Sequence, residues 1–535
     1  MSGLPDLDLI GYPRWDLHSA KGTGDVVVSR RQLLRAGTGA SAALLLSSCA
    51  GGGNNGPAPA GPPKPGGTLR IGALGRASSV TRDPHGLHSN DSDNLVLALA
   101  YDPLTVPGSS PVVAPRLARR WEPSPDLREW RFELPPNARF HDGRPVTSAD
   151  VVWSLRRLRQ SPSGSSRLPG VRPEAIRADG PNAVVLRSSY PNSELPAQIR
   201  MTTFTVPENS PDPSTAPGTG PFKVDWYRAG NARLVRNDDW FGGRPWLDAV
   251  EVRMFETPEA ITNALLSEEI DLASNVGSVA ARTAERRDGL QIVRRPDDMA
   301  MPVVMRTSDG PFADPRVREA VRLAVDRDAM VRQGLSGYGS VANDVLGTAD
   351  PLYARDLPQR RQDLARAGRL LDEAGFDRSR TYPIATTEAV PGLTQSASLF
   401  AKQVQRVGLR VQVAKQESST FLSNKANAPL YTTFWGTNDS VVFLAGKLMI
   451  SAAGTNETSW HDPEFDEAYR QAISTTDPDR HARMVREMQR IEHERSGYLL
   501  WGMADGVDIA RDVVQGLPRL PGYGRYQLES AWLSA

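Results

Sequence analysis

Apolar and polar side chains alternate at Leu69, Ile71 and Ala73 in "TLRIGAL", at Val250, Val252 and Met254 in "AVEVRMF", and at Leu409, Val411 and Val413 in "LRVQV". A period of two places such residues on one side of a pleat, so each run predicts a β-strand. Helices are predicted by their first residues. Thr147-Ser-Ala-Asp150 has the form of a capping box ahead of Val151, Val152 and Leu155, in which hydroxyl and carboxylate satisfy free amides. Asp314-Pro315, Asp462-Pro463 and Asp477-Pro478 each put an acceptor at the N-cap and proline at the first helical position. Val317, Val321, Ala324 and Val331 mark one face of a helix running from Pro315 to a stop at Gly334 or Gly337. Met484, Met488 and Ile491 mark another stripe, and both read as core. Leu370 and Leu371, then Asp372-Glu373 and Ala374-Gly375, read as a helix end with a glycine cap. Strands and helices intermingle along the chain with no fixed repeat, which predicts a mixed α/β fold.

One apolar run differs in kind. Ala36 to Leu46 is too short to cross a bilayer, which needs about 20 residues, and it follows Arg30 and Arg31, so it reads as an export signal. Ser29-Arg-Arg-Gln-Leu-Leu-Arg35 resembles a twin-arginine signal, and Leu46-Ser-Ser-Cys49 resembles a bacterial lipobox. The resemblance implies that residues 1–48 are a signal peptide, exported by the twin-arginine or Sec route. Cys49, the only cysteine of 535 residues, would then carry diacylglycerol on the outer face of the cytoplasmic membrane. Without a second cysteine the chain must fold without disulfides. Residues 49–65, "CAGGGNNGPAPAGPPKP", are too poor in apolar groups to pack and read as a tether.

The chain beyond Cys49 is long enough for two to four domains at about 150 residues each. The full chain of 535 residues carries 63 basic and 62 acidic side chains, a balance that lacks the basic field a nucleic-acid partner would need. Only seven of the basic residues are lysine, a bias attributed here to base composition.

The sequence shows no catalytic constellation. It has no G-x-S-x-G turn for a serine nucleophile and no Gly-rich phosphate loop. The seven histidines are scattered except His85 and His88, without H-E-x-x-H or paired cysteines, so no metal and no cofactor are expected. His141-Asp142-Gly143 reads as a turn. "NDDWFGGRPW", residues 237–246, reads as a surface loop anchored by Trp240 and Trp246, with a sugar or base cradle as the other reading.

Taken in order, several segments resemble the bacterial extracellular solute-binding proteins of family 5, the peptide, nickel and opine class of ABC importers. They are "GGTLRIG" with "TRDPHG", residues 117–158, "PGTGPFKV", "LVRNDDWFGGRPWLDAVEVRMFE", "ALLSEEIDLA", "GPFADPRVREAVRLAVDRDAMV", "ARAGRLLDEAGF" and "FDEAYRQAISTTDPDRHARMVREMQRIEHE". The resemblance implies a two-lobed fold of the periplasmic-binding-protein kind (Venus flytrap, type II, cluster C), with an extra domain inserted in the first lobe. Lobe I would comprise 66–100, 205–300 and 500–535, the inserted domain 101–204, and lobe II 301–499. Hinges are expected near Met301–Met305 and Tyr498–Met503. The implied function is that of a lipid-anchored monomeric receptor, not an enzyme, which closes on an oligopeptide or similar polar solute. Its partners would be an ABC permease and ATPase, with no nucleic acid and no membrane contact beyond the lipid. The alternatives are a non-peptide cargo (oligosaccharide, glycopeptide, opine or metal chelate) or a sensor role.

In peptide-binding members a W-x-x-D segment supplies a carboxylate for the peptide's amino terminus. The matching stretch is "FWGTNDS": Trp435, Gly436 and Thr437 precede Asn438, which stands where the aspartate should be, and Asp439 is one residue late. A neutral amide cannot make the charge-assisted bond a buried ammonium needs. Either Asp439 substitutes through a local shift, or the ligand has no free amine there; the second reading is favoured. On the first lobe the resemblance places Ser78, Ser79, Val80 and Thr81 at the ligand-facing edge, a segment equally suited to main-chain contact and to a plain loop.

Overall fold

A computed structural model describes residues 61–534 except 87, 89, 109–112, 162, 163, 169, 201, 202, 389, 437, 438 and 476. The signal peptide, Cys49 and most of the proposed tether lie outside the described residues.

The framework is one 12-stranded sheet, and its two longest strands run through the middle. Leu290–Met305 and Tyr498–Arg511 pair antiparallel along almost their whole length. On one side of this pair lie Leu272–Ala273, Thr68–Leu74, Ala249–Phe255, Asn231–Arg236 and Phe222–Arg228. On the other lie Leu430–Thr432, Thr381–Thr386 and Arg410–Lys415. Thr68–Leu74 runs parallel to Ala249–Phe255 in one half, and Thr381–Thr386 parallel to the edge strand Arg410–Lys415 in the other. Parallel strands of this kind need both faces covered. The predicted alternations at Leu69, Ile71 and Ala73 and at Val250 and Val252 are accordingly buried.

Each half has its own core on each face of the sheet. In the second half Val303, Met305, Leu499 and Trp501 point to one side, against Phe312, Val317, Val321 and Phe400. Ala300, Val304, Tyr498 and Leu500 point to the other, against Leu444, Phe465, Met488 and Ile491. In the first half Leu69, Ile71 and Val252 pack with Leu95 and Leu99, while Val507 and Ile509 join Ile261, Leu265 and Ala281. These separate cores make two lobes sharing one pair of crossing strands. The pair is irregular between Arg295 and Met299 and between Met301 and Pro302, and an irregular ladder bends and twists a strand locally. The expected hinge segments Met301–Met305 and Tyr498–Met503 instead sit inside the second lobe's cores. The core changes hands between Ala504 and Val507. Sequence blocks mark which lobe a segment serves, but only strand register shows where the ladder breaks.

Charges are buried at that break. Arg295, fully buried, donates to both oxygens of Asp508 and to Asp298, whose other oxygen accepts from the Gly522 amide. Burial opposes charge on Arg295, but Asp508 and Asp298 outweigh it and its pKa is raised.

A separate four-stranded antiparallel sheet, in the order Arg120–Pro123, Glu129–Glu133, Ala183–Ser188, Val171–Ala178, carries the helix Ser148–Gln160. Phe132, Val151, Leu155, Leu158, Ile176 and Leu186 form its core. The Asp150 carboxylate accepts from the Thr147 amide at 2.8 Å and its hydroxyl at 2.7 Å, as the capping pattern predicts. Asp314, Asp462 and Asp477 also cap helices with proline in the first turn. The long helix expected after Pro315 is two. Pro315–Ala324 ends at Val325, and Asp326 starts Arg327–Gly334 by accepting from the Ala329 amide at 2.9 Å. A buried apolar residue at each end kept the stripe in phase and hid the break. Trp240 anchors its loop, donating to Asp102 at 3.2 Å beneath the Arg116 guanidinium, whereas Trp246 is exposed.

Candidate functional site

The cleft between the lobes is reached from the first lobe by the turn Ala77–Ser79. Asp93, buried on the helix Asp91–Ala100, holds this segment: it accepts from the Thr81 amide at 3.1 Å, from Asn90 at 3.0 Å and from the Tyr227 hydroxyl at 3.0 Å. Burial raises the Asp93 pKa, and these donors only partly offset it. Ser78 is exposed, and Ser79, Val80 and Thr81 are half-buried. Beside them Arg76 reaches across to Glu417 of the second lobe at 3.2 Å. The gap there is a cavity of about 360 Å³ lined by Arg76, Thr387, Glu388, Lys415, Gln416, Glu417 and Ser418. Glu417 also caps the helix Ser418–Asn424, and the Ser419 hydroxyl is the leading cause that lowers its pKa.

On the second lobe, Trp435–Gly436 pairs with Met299 and Ala300 at the irregular part of the crossing strand. The Trp435 indole N–H donates to Glu457 at 2.7 Å. Glu457, almost fully buried, also accepts from Lys425, from the Tyr498 hydroxyl at 3.3 Å and from Thr433 at 3.4 Å. The Lys447 ammonium stands 4.9 Å from the centre of the Trp435 ring and 5.6 Å from that of Phe443. Burial, reinforced by Arg200, lowers the Lys447 pKa to about 8.

Asp439 forms an ion pair with Arg200, which belongs to the separate four-stranded domain's side of the molecule. Next to it the Ser440 hydroxyl donates to Glu194 at 2.7 Å, and the Arg200 guanidinium lies 5.8 Å from the Phe443 ring. Asp439 is therefore engaged by an arginine and not open to a ligand's ammonium. Burial raises the Glu194 pKa, and the Ser440 bond only partly offsets it. Thr437 and Asn438 lie outside the described residues. Among the described residues no hydrogen bond joins Ser78–Thr81 directly to Trp435, Gly436 or Asp439; the two segments belong to opposite lobes.

Arg200, Glu457, Lys425 and Lys447 were not singled out from the sequence. Their one signal was rarity, since Lys425 and Lys447 are two of only seven lysines in an arginine-rich chain. Among the described residues no helix is long and apolar enough to cross a membrane, and no group of three or more His, Cys, Asp and Glu side chains is placed to hold a metal.

Two lobes, each with its own cores, joined by two crossing strands around a polar cleft, define a binding protein of the periplasmic two-lobed kind. The sequence matches the family model of the bacterial extracellular solute-binding proteins, family 5 (middle), over residues 112–446, and the protein belongs to that family. A putative ABC transporter peptide-binding protein of Brucella ovis is 28% identical over 328 residues, 57% of this chain and 61% of its own. Oligopeptide-binding protein AppA of Bacillus subtilis is 23% identical over 519 residues, 89% of this chain and 93% of its own. Its structure in complex with a nonapeptide superposes with a TM-score of 0.77, covering 88% of this chain and 100% of AppA at 20% identity. AgaA from A. tumefaciens R10, in complex with agropinic acid, superposes with a TM-score of 0.76, covering 88% and 99% at 23% identity. The protein is thus a substrate-binding protein of the ABC-transporter type, from a family of extracellular solute-binding proteins.

Proposed function

We propose that the protein is a receptor anchored through a lipid on Cys49, which closes its lobes on an oligopeptide or similarly sized polar solute and delivers it to an ABC permease and its ATPase. In this reading it catalyses no reaction. In this reading the inserted domain spans 101–204, and the chain exchanges between lobes at about 295–302 and 504–507. Ser78–Thr81 and Trp435–Asp439 contact the guest from opposite sides. The observation that carries the reading is the cleft itself, faced by both lobes and crossed by the Arg76–Glu417 pair. A solute touching both sides stabilises the closed form by its differential affinity for it.

The engagement of Asp439 by Arg200 favours cargo that offers no ammonium at that point, such as an opine or an N-blocked peptide. Thermal-shift measurements on the full chain against di- to pentapeptides, opines, oligosaccharides and nickel–histidine test this, because ligand bound to the native state raises the melting temperature. A rise with at least one class is expected; turnover of any of them would refute the reading. For the anchor, Cys49→Ser should move the protein from the membrane to the soluble fraction, and retention of that variant on membranes would refute lipidation.

A further inference from the structure

We propose that the Lys447 ammonium, held over the Trp435 and Phe443 rings, is the anchor for a carboxylate on the transported solute, so that the cleft selects an anionic guest. The inference rests on the receptor reading above and names the ligand's chemistry. Among the described residues the Lys447 ammonium has no hydrogen-bond or ion-pair partner; its contacts are the two ring faces. The anions that could neutralise it are spoken for. Glu457 takes Lys425, the Trp435 indole, Thr433 and Tyr498, and Asp439 takes Arg200.

Cations therefore outnumber available anions at this junction. Lys425, Lys447 and Arg200 face Glu457 and Asp439, and Arg167 adds to the positive field at Lys447. Glu194, buried beside them, already accepts from the Ser440 hydroxyl at 2.7 Å, and burial raises its pKa. Lys447 is half-buried, a charge partly withdrawn from water without a counter-ion is costly, and a ring face compensates an ammonium only in part. A carboxylate arriving with the ligand would complete the pair with a charge-assisted bond, while the CH groups next to it lie against the indole that Glu457 holds in place. Lysine suits this task in a chain that otherwise uses arginine, because a compact ammonium can sit over a ring and still donate to one oxygen.

Matched acid and blocked probes test the idea on the full chain: acetyl-trialanine against its amide, and octopine against its dimethyl ester, with raffinose and nickel–histidine as guests of other classes. The first pair reports a peptide C-terminus as the source of the carboxylate, and the second an opine. An acid should bind at least about ten-fold more tightly than its blocked partner, as expected for a charge-assisted bond. Lys447→Met should abolish that ratio and Lys447→Arg restore most of it, which a merely structural lysine would not do. Affinity for the acid should fall as pH rises above about 8 in the wild type and stay flat in Lys447→Met. The groups facing this ammonium are Arg200, Arg167, Lys425 and Glu457. Equal binding of acid and blocked forms, binding confined to raffinose or nickel–histidine, or an acid preference that survives Lys447→Met would overturn the anchor and leave the receptor reading intact. Failure of every probe to bind would overturn both.

Discussion

Arg295→Met tests the idea that the crossing strands are held by a buried charge cluster. In the native protein the fully buried guanidinium serves Asp508, with 3.1 Å between Nη2 and Oδ1, and Asp298, with 3.4 Å from Nε. Methionine fills similar volume but strands two carboxylates that are themselves almost fully buried. Removing one partner of a buried ion pair costs about 3–5 kcal/mol. With an unfolding entropy of about 2.1 cal/mol/K per residue, the roughly 460 described residues melting as one unit lose about 1 kcal/mol per degree. The melting temperature should therefore fall by about 3–5 °C, and by more if one lobe melts alone. Adding Asp298→Asn and Asp508→Asn should restore most of the loss. The assay is scanning calorimetry on all three forms at pH 7. A single variant as stable as wild type, or a triple variant no more stable than the single one, would refute the reasoning.

Other outcomes follow from contacts between elements. Asp439→Asn removes the ion pair between Arg200 and Asp439 of the second lobe, so the closed form should lose population; small-angle scattering should show a larger radius of gyration, and an unchanged radius would count against a latch. Glu457→Gln leaves Lys425 without its carboxylate; a loss of about 1.5–3 kcal/mol, the range for hydrogen bonds to charged groups, should appear in calorimetry, with a red-shifted tryptophan emission if Trp435 loses its orientation. Glu133 is held down to about 2 from an ordinary 4.5, first by Arg120 and then by Arg131 and Arg119, against the effect of burial. Its contribution is therefore full above about 4.5 and lost as pH falls toward 2, so the stability difference between wild type and Glu133→Gln should vanish by pH 2; a difference that persists there would contradict the assignment.

Much of the local structure was legible in the sequence because its determinants are neighbours. An aspartate before a proline at the head of an apolar-periodic run is placed to cap the helix that follows, and Asp314, Asp462 and Asp477 do so. Gly375, at a φ of +62°, closes its helix in a conformation other residues resist. The order of sequence blocks also carried the family and its two-lobed fold. Tertiary structure decided what depends on partners remote along the chain. Ser440 meets Glu194 across 246 residues, and Asp439 is engaged by Arg200, so a carboxylate that sequence left as a candidate for ligand was already neutralised. Lys447 carried no pattern at all. Its meaning comes from two rings beside it and from anions nearby that are already paired, and electrostatic balance is a property of three-dimensional neighbours that no spacing along a chain records.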